Sequence, residues 1–289
     1  MLFAITACTT TPAQQPVHQT IYRPAPQPAH QTVEPASQPA AHAPVQVASH
    51  TPAEPQTHAQ TESHAKPASH GKAHWDYEDG ENGPANWYKL DCPDCAKMAQ
   101  SPIDIPATAP VTEANIRFDY HASTLDLVNN GHTIKFSSDK KSSITVDGKT
   151  YKLLQFHFHS PSEHLITGIS YPMELHLVHQ ADDGSYGVVG VMIRTGNANH
   201  TIQTLWDRMP KHAGDHVTSD KALVNPMTLL PYMKSYFNYS GSFTTPPCTE
   251  GVNWMLMNAP ITISNDQLKA FTALYDHNNR PVQPLNGRF

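Results

Sequence analysis

Hydrophobic and polar residues alternate over short segments in the C-terminal part of the chain, and this period of two predicts β-strands. The segments are rich in β-branched and aromatic residues and are bounded by glycine, asparagine, aspartate or proline. The predicted strands are 123–128, 132–136, 143–146, 152–159, 173–179, 186–194 and 252–257. Residues 129–131 and 147–148 predict tight hairpin turns, and residues 182–184 predict a loop between two strands.

Helical periodicity is weak by comparison. Residues 199–209 and 265–275 are the best candidates for helices, and Ser264 is placed to cap the second one. Several hairpins with few helices favour an antiparallel sheet over a doubly wound parallel one. We therefore expect a mainly β (α+β) single domain, built around a large twisted, mostly antiparallel central sheet with short peripheral helices.

Two of the predicted strands carry histidines at alternating positions. Gln155, His157 and His159 share one face of the first strand, whereas Glu174 and His176 share one face of the second. If the two strands are neighbours, the three histidines converge. Three neutral imidazoles leave a fourth tetrahedral position open for water, which is typical of a catalytic rather than a structural zinc site.

The metal hypothesis depends on the combination of these residues. A single strand histidine is more often a hydrogen-bonded core or surface residue, and the pair His157 and His159 alone does not decide between the alternatives. Gln155 and Glu174 each precede a histidine by two residues on the same face. They are placed to accept the second N–H of a ligating imidazole, and this arrangement favours a metal.

The composition changes abruptly at His74. Residues 9–73 contain eleven of the 26 prolines and few aliphatic or aromatic side chains. Such a segment cannot bury enough apolar surface to offset the entropy of ordering it, so we expect a disordered N-terminal tail with extended, polyproline-like character. The remaining residues, 74–289, are enough for one well-packed catalytic domain.

Histidines recur along the predicted tail, which suggests that it collects zinc for the domain. The alternative, which we prefer, is a soluble linker that happens to contain histidine. The tail histidines are His18, His30, His42, His50, His58, His64 and His70.

Residues 1–8 form a truncated signal-like segment that ends in Ile-Thr-Ala-Cys, which resembles a bacterial lipobox. A lipidated Cys8 would anchor the protein to a membrane, with residues 9–73 as the tether. The basic region and full-length apolar core of a signal peptide are missing. Either the true start lies upstream or the similarity is accidental.

Charge and cysteine content narrow the function further. A formal net charge of −6 without a basic cluster disfavours nucleic-acid binding, and no apolar stretch is long enough for a membrane span. Cys92 and Cys95 form a CxxC pair, but neither a βαβ pattern nor a second CxxC accompanies it. A disulfide from one of these two to Cys248 is favoured, which leaves one cysteine over and suggests an oxidising compartment.

The chain resembles the α-class carbonic anhydrases of the bacterial, exported kind over nearly all of residues 74–289. The motifs occur in order, which makes the resemblance highly specific. They are HWDY (74–77), QSPIDI (100–105), NNGH (129–132), QFHFH (155–159), SEH (162–164), ELHLVH (174–179), YSGSFTTPPC (239–248) and QPLNGR (283–288).

The resemblance implies reversible hydration of CO2 to bicarbonate and a proton by attack of a zinc-bound hydroxide. It implies that His157, His159 and His176 hold one Zn2+ per chain, the same three histidines that strand parity brings together. Thr244 would accept a hydrogen bond from the hydroxide and donate its own proton to Glu163.

The resemblance also implies a route for the proton and a pocket for CO2. His132 would be the proton shuttle, although without the family it would be interpreted as a solvated residue after a turn. The residues expected along the water path are Tyr77, Asn130 and Thr245, and those expected around CO2 are Val178, Val188, Phe243 and Trp254. Phe243 stands where leucine is common, and Lys135 stands where many relatives have a neutral polar residue.

Bacterial members of the family join a cysteine upstream of the QSP motif to the one after Thr-Thr-Pro-Pro. By that pattern Cys95 pairs with Cys248, and Cys92 is left as a free thiol or an intermolecular link. The resemblance places the protein in the periplasm or on the envelope of a Gram-negative-type bacterium, and a homodimer is compatible with it. The alternative function is a catalytically silent binding module, which the intact ligand positions disfavour.

Overall fold

The computed structural model describes residues 74–113, 115–139 and 141–289. The predicted segments 1–8 and 9–73, with Cys8 and the tail histidines, lie outside the described residues. No helix in the described ranges is long and apolar enough to cross a membrane.

Strands make up most of the regular structure. They are β1 (Asp104–Ile105), β2 (Val111–Thr112), β3 (Arg117–Asp119), β4 (Ser123–Asn129), β5 (Ile134–Ser137), β6 (Ser143–Val146), β7 (Lys149–His159), β8 (Leu165–Ile166), β9 (Met173–Ala181), β10 (Tyr186–Thr195), β11 (His216–Val224), β12 (Tyr236–Ser242), β13 (Glu250–Met257) and β14 (Ile261–Ile263). The helices are α1 (His200–Trp206) and α2 (Asn265–Thr272), with short 3-10 turns at Pro84–Lys89, Pro93–Ala96 and Pro226–Leu229.

Twelve of the strands in the described part of the chain form one sheet. Its order is β11–β4–β5–β7–β9–β10–β13–β12–β2, with β14 beside β10 and β6 joining β3 to β7. The parallel pairings of this sheet are those of β10 with β13 and with β14, and the other pairings, such as that of β10 with β9, are antiparallel. The separate pair of β1 and β8 is parallel. This architecture confirms the predicted mainly β fold with a mostly antiparallel central sheet.

The predicted elements occur in the structure with shifted ends. The predicted helix 199–209 is the shorter α1, and 265–275 is the shorter α2. Ser264 caps α2 in a full capping box, because its hydroxyl accepts from Gln267 N and the Gln267 side chain accepts from Ser264 N. At the predicted turns Gly131 and Gly148 have φ values of 86° and 78°, a region that glycine adopts without strain.

The central strands separate two apolar clusters, one on each face of the sheet. Phe156 and Phe158 of β7 pack with Leu175 and Leu177 of β9 in the larger cluster, which α1 and α2 cover. Val178, Val188 and Trp254 belong to the second cluster. Because successive side chains of a strand point to opposite faces, the histidines of β7 and β9 project away from the larger cluster.

Candidate metal centre

Antiparallel pairing of β7 and β9 brings the alternating histidines together. His157 lies directly opposite His176, and His159 lies opposite Glu174. The ring centroids of His157, His159 and His176 are separated by 4.9 Å, 5.3 Å and 4.6 Å. One nitrogen of each ring lies within 4.8 Å of the others, which is the spacing of ligands around one metal ion.

A fixed acceptor holds one nitrogen of each imidazole. His157 Nδ1–H donates to Gln155 Oε1 at 2.8 Å, and His176 Nε2–H donates to Glu174 Oε1 at 2.8 Å. These are the two polar residues that strand parity placed beside the histidines. The bonds fix the tautomers, leaving Nε2 of His157 and Nδ1 of His176 as acceptors.

The third histidine is held from outside the two strands. His159 Nδ1–H donates to the backbone carbonyl of Asn278 at 2.6 Å. Its Nε2 atom is buried without a hydrogen-bond partner among the described residues, which is costly unless a further ligand binds there. A metal cation is a suitable ligand for a buried imidazole lone pair, so the donor set fits a metal ion.

Burial keeps all three imidazoles neutral. It lowers the pKa of His159 to about 4 and lowers the pKa values of His157 and His176. The Asn278 carbonyl opposes the fall at His159 and Glu174 opposes it at His176, whereas the neighbouring imidazoles add to it at His157. Lys135, opposite His157 on β5, acts in the same direction on His157. Neutral imidazole is the form that binds zinc.

Glu174 is the centre of a buried hydrogen-bond network behind His176. Its Oε2 atom accepts from the backbone N–H groups of Glu163 and His164 at 2.9 Å and 2.8 Å, and its Oε1 also accepts from His164 Nδ1–H. Burial opposes ionisation of Glu174, but His164 and His176 outweigh it and hold its pKa well below the usual value. His164 Nε2 in turn accepts from the Tyr239 hydroxyl at 2.6 Å, so both of its nitrogens are already engaged.

Glu163 lies beside the histidine cluster, fully buried. Its Oε1 atom accepts from the backbone N–H of Arg280 at 2.8 Å, while Oε2 has no hydrogen bond of regular geometry to any residue that the structure describes. Burial raises the pKa of Glu163 to about 7, and His176, the Arg280 N–H and a hydrogen bond from Thr244 oppose the rise. The structure thus brings Thr244 and Glu163 together at the cluster.

His132 lies near the histidine cluster, at a cavity that reaches it. Its ring stacks on Trp75 with centroids 3.7 Å apart and planes 7° apart. The cavity measures about 120 Å3 and is lined by Trp75, Tyr77, Asn130, His132, Thr133, Lys135, Gln155, His157, His159 and Thr245. Burial and His74 lower the pKa of His132, against a smaller opposite effect of Asp76.

Apolar side chains of the second apolar cluster adjoin the three histidines. Val178 and Val188 are paired across β9 and β10, and Trp254 lies opposite Val188 on β13. The His176 ring packs edge-on against Trp254 at 4.9 Å. Phe243 is only partly buried in this group and contacts Tyr186, with ring centroids 4.8 Å apart.

The three cysteines of the predicted disulfide region lie together in one cluster. Cys95 lies close enough for a disulfide both to Cys248, its predicted partner, and to Cys92. Cys92 is buried in the same small cluster as Cys95, Cys248 and Trp87. A short 3-10 turn, Pro93–Ala96, brings the two cysteines together.

Sequence reasoning missed two residues that support the site from the segment after α2. Asn278 holds His159 through its carbonyl, and its side-chain amide donates to the carbonyls of His132 and Phe158, both at 3.0 Å. Arg280 is buried and donates to Gln100, to the Ser101 carbonyl and to the Cys95 carbonyl. The only signal in the sequence is a polar cluster before Pro281, because much of the support comes from backbone atoms.

Residues 82–289 match the family model described as eukaryotic-type carbonic anhydrase. Among curated relatives, a carbonic anhydrase of Klebsiella pneumoniae is 43% identical over 194 residues, which cover 66% of this chain and 78% of the relative. A carbonic anhydrase of Pectobacterium atrosepticum is 37% identical over 190 residues, which cover 65% of this chain and 78% of the relative.

Solved structures show the same similarity. The α-carbonic anhydrase of Thermovibrio ammonificans, solved with the inhibitor sulfanilamide, is 42% identical with a TM-score of 0.72; the match covers 75% of this chain and 98% of that one. The α-carbonic anhydrase of Photobacterium profundum is 43% identical with a TM-score of 0.70, and the match covers 75% of this chain and 99% of that one.

Proposed function

Since the chain belongs to the α-class carbonic anhydrase family, a family of lyases, we propose that it reversibly hydrates CO2 to bicarbonate and a proton with one zinc ion per chain. The observation that carries the proposal is the convergence of three neutral imidazoles. Each has one nitrogen held by a hydrogen bond and the other directed to a common point. That is the donor set of a catalytic zinc site with an open fourth position.

In this proposal the zinc ligands are His157 Nε2, His159 Nε2 and His176 Nδ1. When bound, zinc supplies a water activated at near-neutral pH; a water pKa of about 7 is the known value for carbonic anhydrases and is not a result of this structure. Gln155, Glu174 and the Asn278 carbonyl hold the three rings in the required tautomers.

Thr244 and Glu163 orient the reacting oxygen in this account. Glu163 is buried and reaches the threonine hydroxyl, so the proton of that hydroxyl is committed to the carboxylate. The threonine oxygen is then left as an acceptor towards the site, and it fixes the direction of the nucleophile's lone pair. Arg280 holds the carboxylate in place through its backbone N–H.

CO2 is apolar, so its binding site is expected to exclude water. We assign the CO2 site to the apolar side chains of Val178, Val188 and Trp254, which adjoin the three histidines, with Phe243 at the partly exposed edge. These side chains offer no hydrogen bond to compete for the nucleophile, and they place the carbon of CO2 beside it.

The proton released in each cycle must reach solvent. We assign this transfer to His132, which lines the same cavity as His157 and His159 and is half-buried. Its lowered pKa keeps the imidazole neutral at pH 7, ready to accept a proton that Tyr77, Asn130 and Thr245 relay through water.

We further propose that residues 74–289 form the catalytic domain and that 9–73 tether it to an envelope anchor at Cys8 after residues 1–8. Periplasmic or envelope location is supported by the bacterial relatives and by the cysteine contacts, since disulfides persist in oxidising compartments.

Stopped-flow CO2 hydration by the full-length protein tests the proposal. We expect activity as purified, loss after chelation and recovery with one equivalent of zinc. His176→Ala should fall to the rate of the buffer, whereas His216→Ala, an exposed histidine paired with Asp126 on a distant strand, should not. Full activity in the metal-free protein would refute the mechanism.

A further inference from the structure

Three cysteine side chains form a buried cluster beside the candidate site. The Cα atoms of Cys92 and Cys95 are 5.6 Å apart, and those of Cys95 and Cys248 are 5.0 Å apart. Both spacings lie in the range of about 4.4–6.8 Å that a disulfide requires. A sulfur atom forms one disulfide at a time, so the two pairings of Cys95 are alternatives within the same fold.

We propose that Cys92, Cys95 and Cys248 form a thiol–disulfide exchange site in which Cys95 alternates between Cys248 and Cys92. The Cys92 thiolate attacks Cys95 Sγ; the Cys92–Cys95 bond forms, the Cys95–Cys248 bond breaks and Cys248 leaves as a thiolate. The proton lost from Cys92 is regained by Cys248. Each state holds one disulfide and one thiol, so the exchange needs no external oxidant or reductant.

The surroundings of Cys92 give the exchange a route to solvent. Cys92 lines a cavity of about 390 Å3 together with His132, Pro246 and Pro247. Water in that cavity can take up the proton that Cys92 loses. All three cysteines are buried in one cluster with Trp87, which keeps the disulfide itself away from external thiols.

The two disulfides tie different parts of the chain together. Cys95–Cys248 spans 153 residues and fixes the segment that begins at Thr244 to the N-terminal part of the domain, whereas Cys92–Cys95 spans only three. In the second state Cys248 has no covalent link but stays packed beside Trp87, and its backbone keeps the hydrogen bonds from Cys248 N to the Thr245 carbonyl and from the Gln100 amide to the Cys248 carbonyl. The exchange therefore releases the covalent tie of the Thr244 segment while leaving that segment in place.

Trapping of the free thiol tests the proposal on the full-length protein without reductant. The protein is incubated near pH 8.5, about the pKa of a free thiol, quenched in acid, unfolded and alkylated with N-ethylmaleimide. Peptide mass spectrometry then counts the label at each cysteine, Cys8 included. We expect label on both Cys92 and Cys248, together about one per chain, and none on Cys95. Label on Cys92 alone, on Cys248 alone, or on all three as in a reduced or metal-bound cluster, would overturn the proposal.

Two variants that each permit only one of the two disulfides distinguish exchange from a mixture of incompletely oxidised chains. In Cys92→Ser we expect Cys248 to stay unlabelled, because no attacking thiol remains; label on Cys248 at the wild-type level contradicts exchange. In Cys248→Ser we expect Cys92 and Cys95 to be blocked by their mutual disulfide. Two free thiols there would contradict the second pairing. Cys248→Ser should also melt on the order of 10 °C below Cys92→Ser, because its disulfide closes a far shorter loop.

Discussion

His157, His159 and His176 each keep one ring nitrogen free because a fixed acceptor holds the other. The acceptors differ in kind: an amide, a backbone carbonyl and a carboxylate. In our proposal none of these acceptors binds the metal, yet each sets the tautomer and the orientation of a ligand. Metal affinity should therefore depend on residues that do not touch the metal.

Replacement of Gln155 tests that dependence. In Gln155→Ala, His157 loses the acceptor for its Nδ1–H, and we expect the zinc dissociation constant to rise about 10- to 100-fold. Competition with a chromophoric chelator measures it. Gln180→Ala is the matched control, since Gln180 is a glutamine of the neighbouring strand β9 that donates to the Gly184 carbonyl. Equal zinc affinities in both variants would show that Gln155 does not position His157.

His132 should affect turnover more than substrate capture. Proton release follows CO2 conversion, so His132→Ala should lower kcat at least about tenfold and leave kcat/KM nearly unchanged. Added imidazole buffer should restore kcat by accepting the proton directly. Stopped-flow CO2 hydration over a range of buffer concentrations measures both constants. An equal fall of kcat and kcat/KM, without rescue, would argue against a shuttle role.

Proton transfer through His132 should slow as the pH falls. Burial lowers the pKa of His132 below its usual value of about 6.5. The neutral form, which accepts the proton, therefore remains available at pH 7 and is lost as the pH falls through the lowered pKa. The His132-dependent part of kcat should decline only below about pH 6.5. A midpoint above that value would contradict this assignment.

His179 makes stability depend on pH. Burial lowers its pKa to about 3, with Nδ1–H donating to the Gly187 carbonyl and Nε2 accepting from Tyr120. Between pH 6.5 and 3 the unfolded chain binds a proton that the folded chain does not, so the free energy of unfolding falls as the pH falls. The slope from this residue is about 1.4 kcal/mol per pH unit.

The matched variant is His179→Gln, in the zinc-loaded protein. Urea unfolding at pH 6, 5 and 4 measures the free energy of unfolding of both proteins. In the variant this free energy should fall less steeply with falling pH, by about 1.4 kcal/mol per pH unit, whatever its value at pH 7. Parallel curves for the two proteins would show that His179 does not titrate in this way.

At the scale of single elements, strand parity was enough to predict that three histidines of two strands converge. The alternation of β7 and β9 placed His157, His159 and His176 on one face, with Phe156 and Phe158 on the other, and the pairing of the two strands matches it. Parity is reliable here because one face of each strand is buried in a large core, which fixes the register.

Other elements could not be predicted from alternation. The strand β11 is largely exposed at the edge of the sheet and has little apolar periodicity, and β12 contains glycine and serine where it packs closely. The short strands β1, β2, β3, β8 and β14 were missed because two or three residues carry no pattern. The Asn278 carbonyl was missed because a backbone acceptor is independent of the side chain that identifies the residue.

The cap of α2 tests an element away from the site. Ser264→Ala removes the side chain that accepts from Gln267 N, and we expect the free energy of unfolding to fall by about 1 kcal/mol. Because α2 covers the face of the sheet opposite the histidines, CO2 hydration at 25 °C should be unchanged. Chemical unfolding and stopped-flow assays give both numbers. A loss of activity in the folded variant would show that the two faces are coupled.

At the scale of the whole molecule, the N-terminal segment and the catalytic part have separate tasks in our proposal. The family match begins at residue 82, and the matched solved structures are covered almost completely by this chain. Deletion of residues 1–73 should therefore leave kcat for CO2 hydration within about twofold of the full-length value and zinc at one per chain.

The same deletion tests the alternative role of the tail histidines. Under limiting zinc, equilibrium dialysis should give equal occupancy for the deleted and full-length proteins if the tail is only a linker. Faster or fuller loading of the full-length protein would support zinc collection by the tail instead.

Anomalous diffraction at the zinc edge, from crystals of the full-length protein grown with one equivalent of zinc, tests the central claim most directly. The account predicts one strong peak about 2.0–2.1 Å from His157 Nε2, His159 Nε2 and His176 Nδ1. A peak at the Cys92, Cys95 and Cys248 cluster with none at the histidines would contradict it.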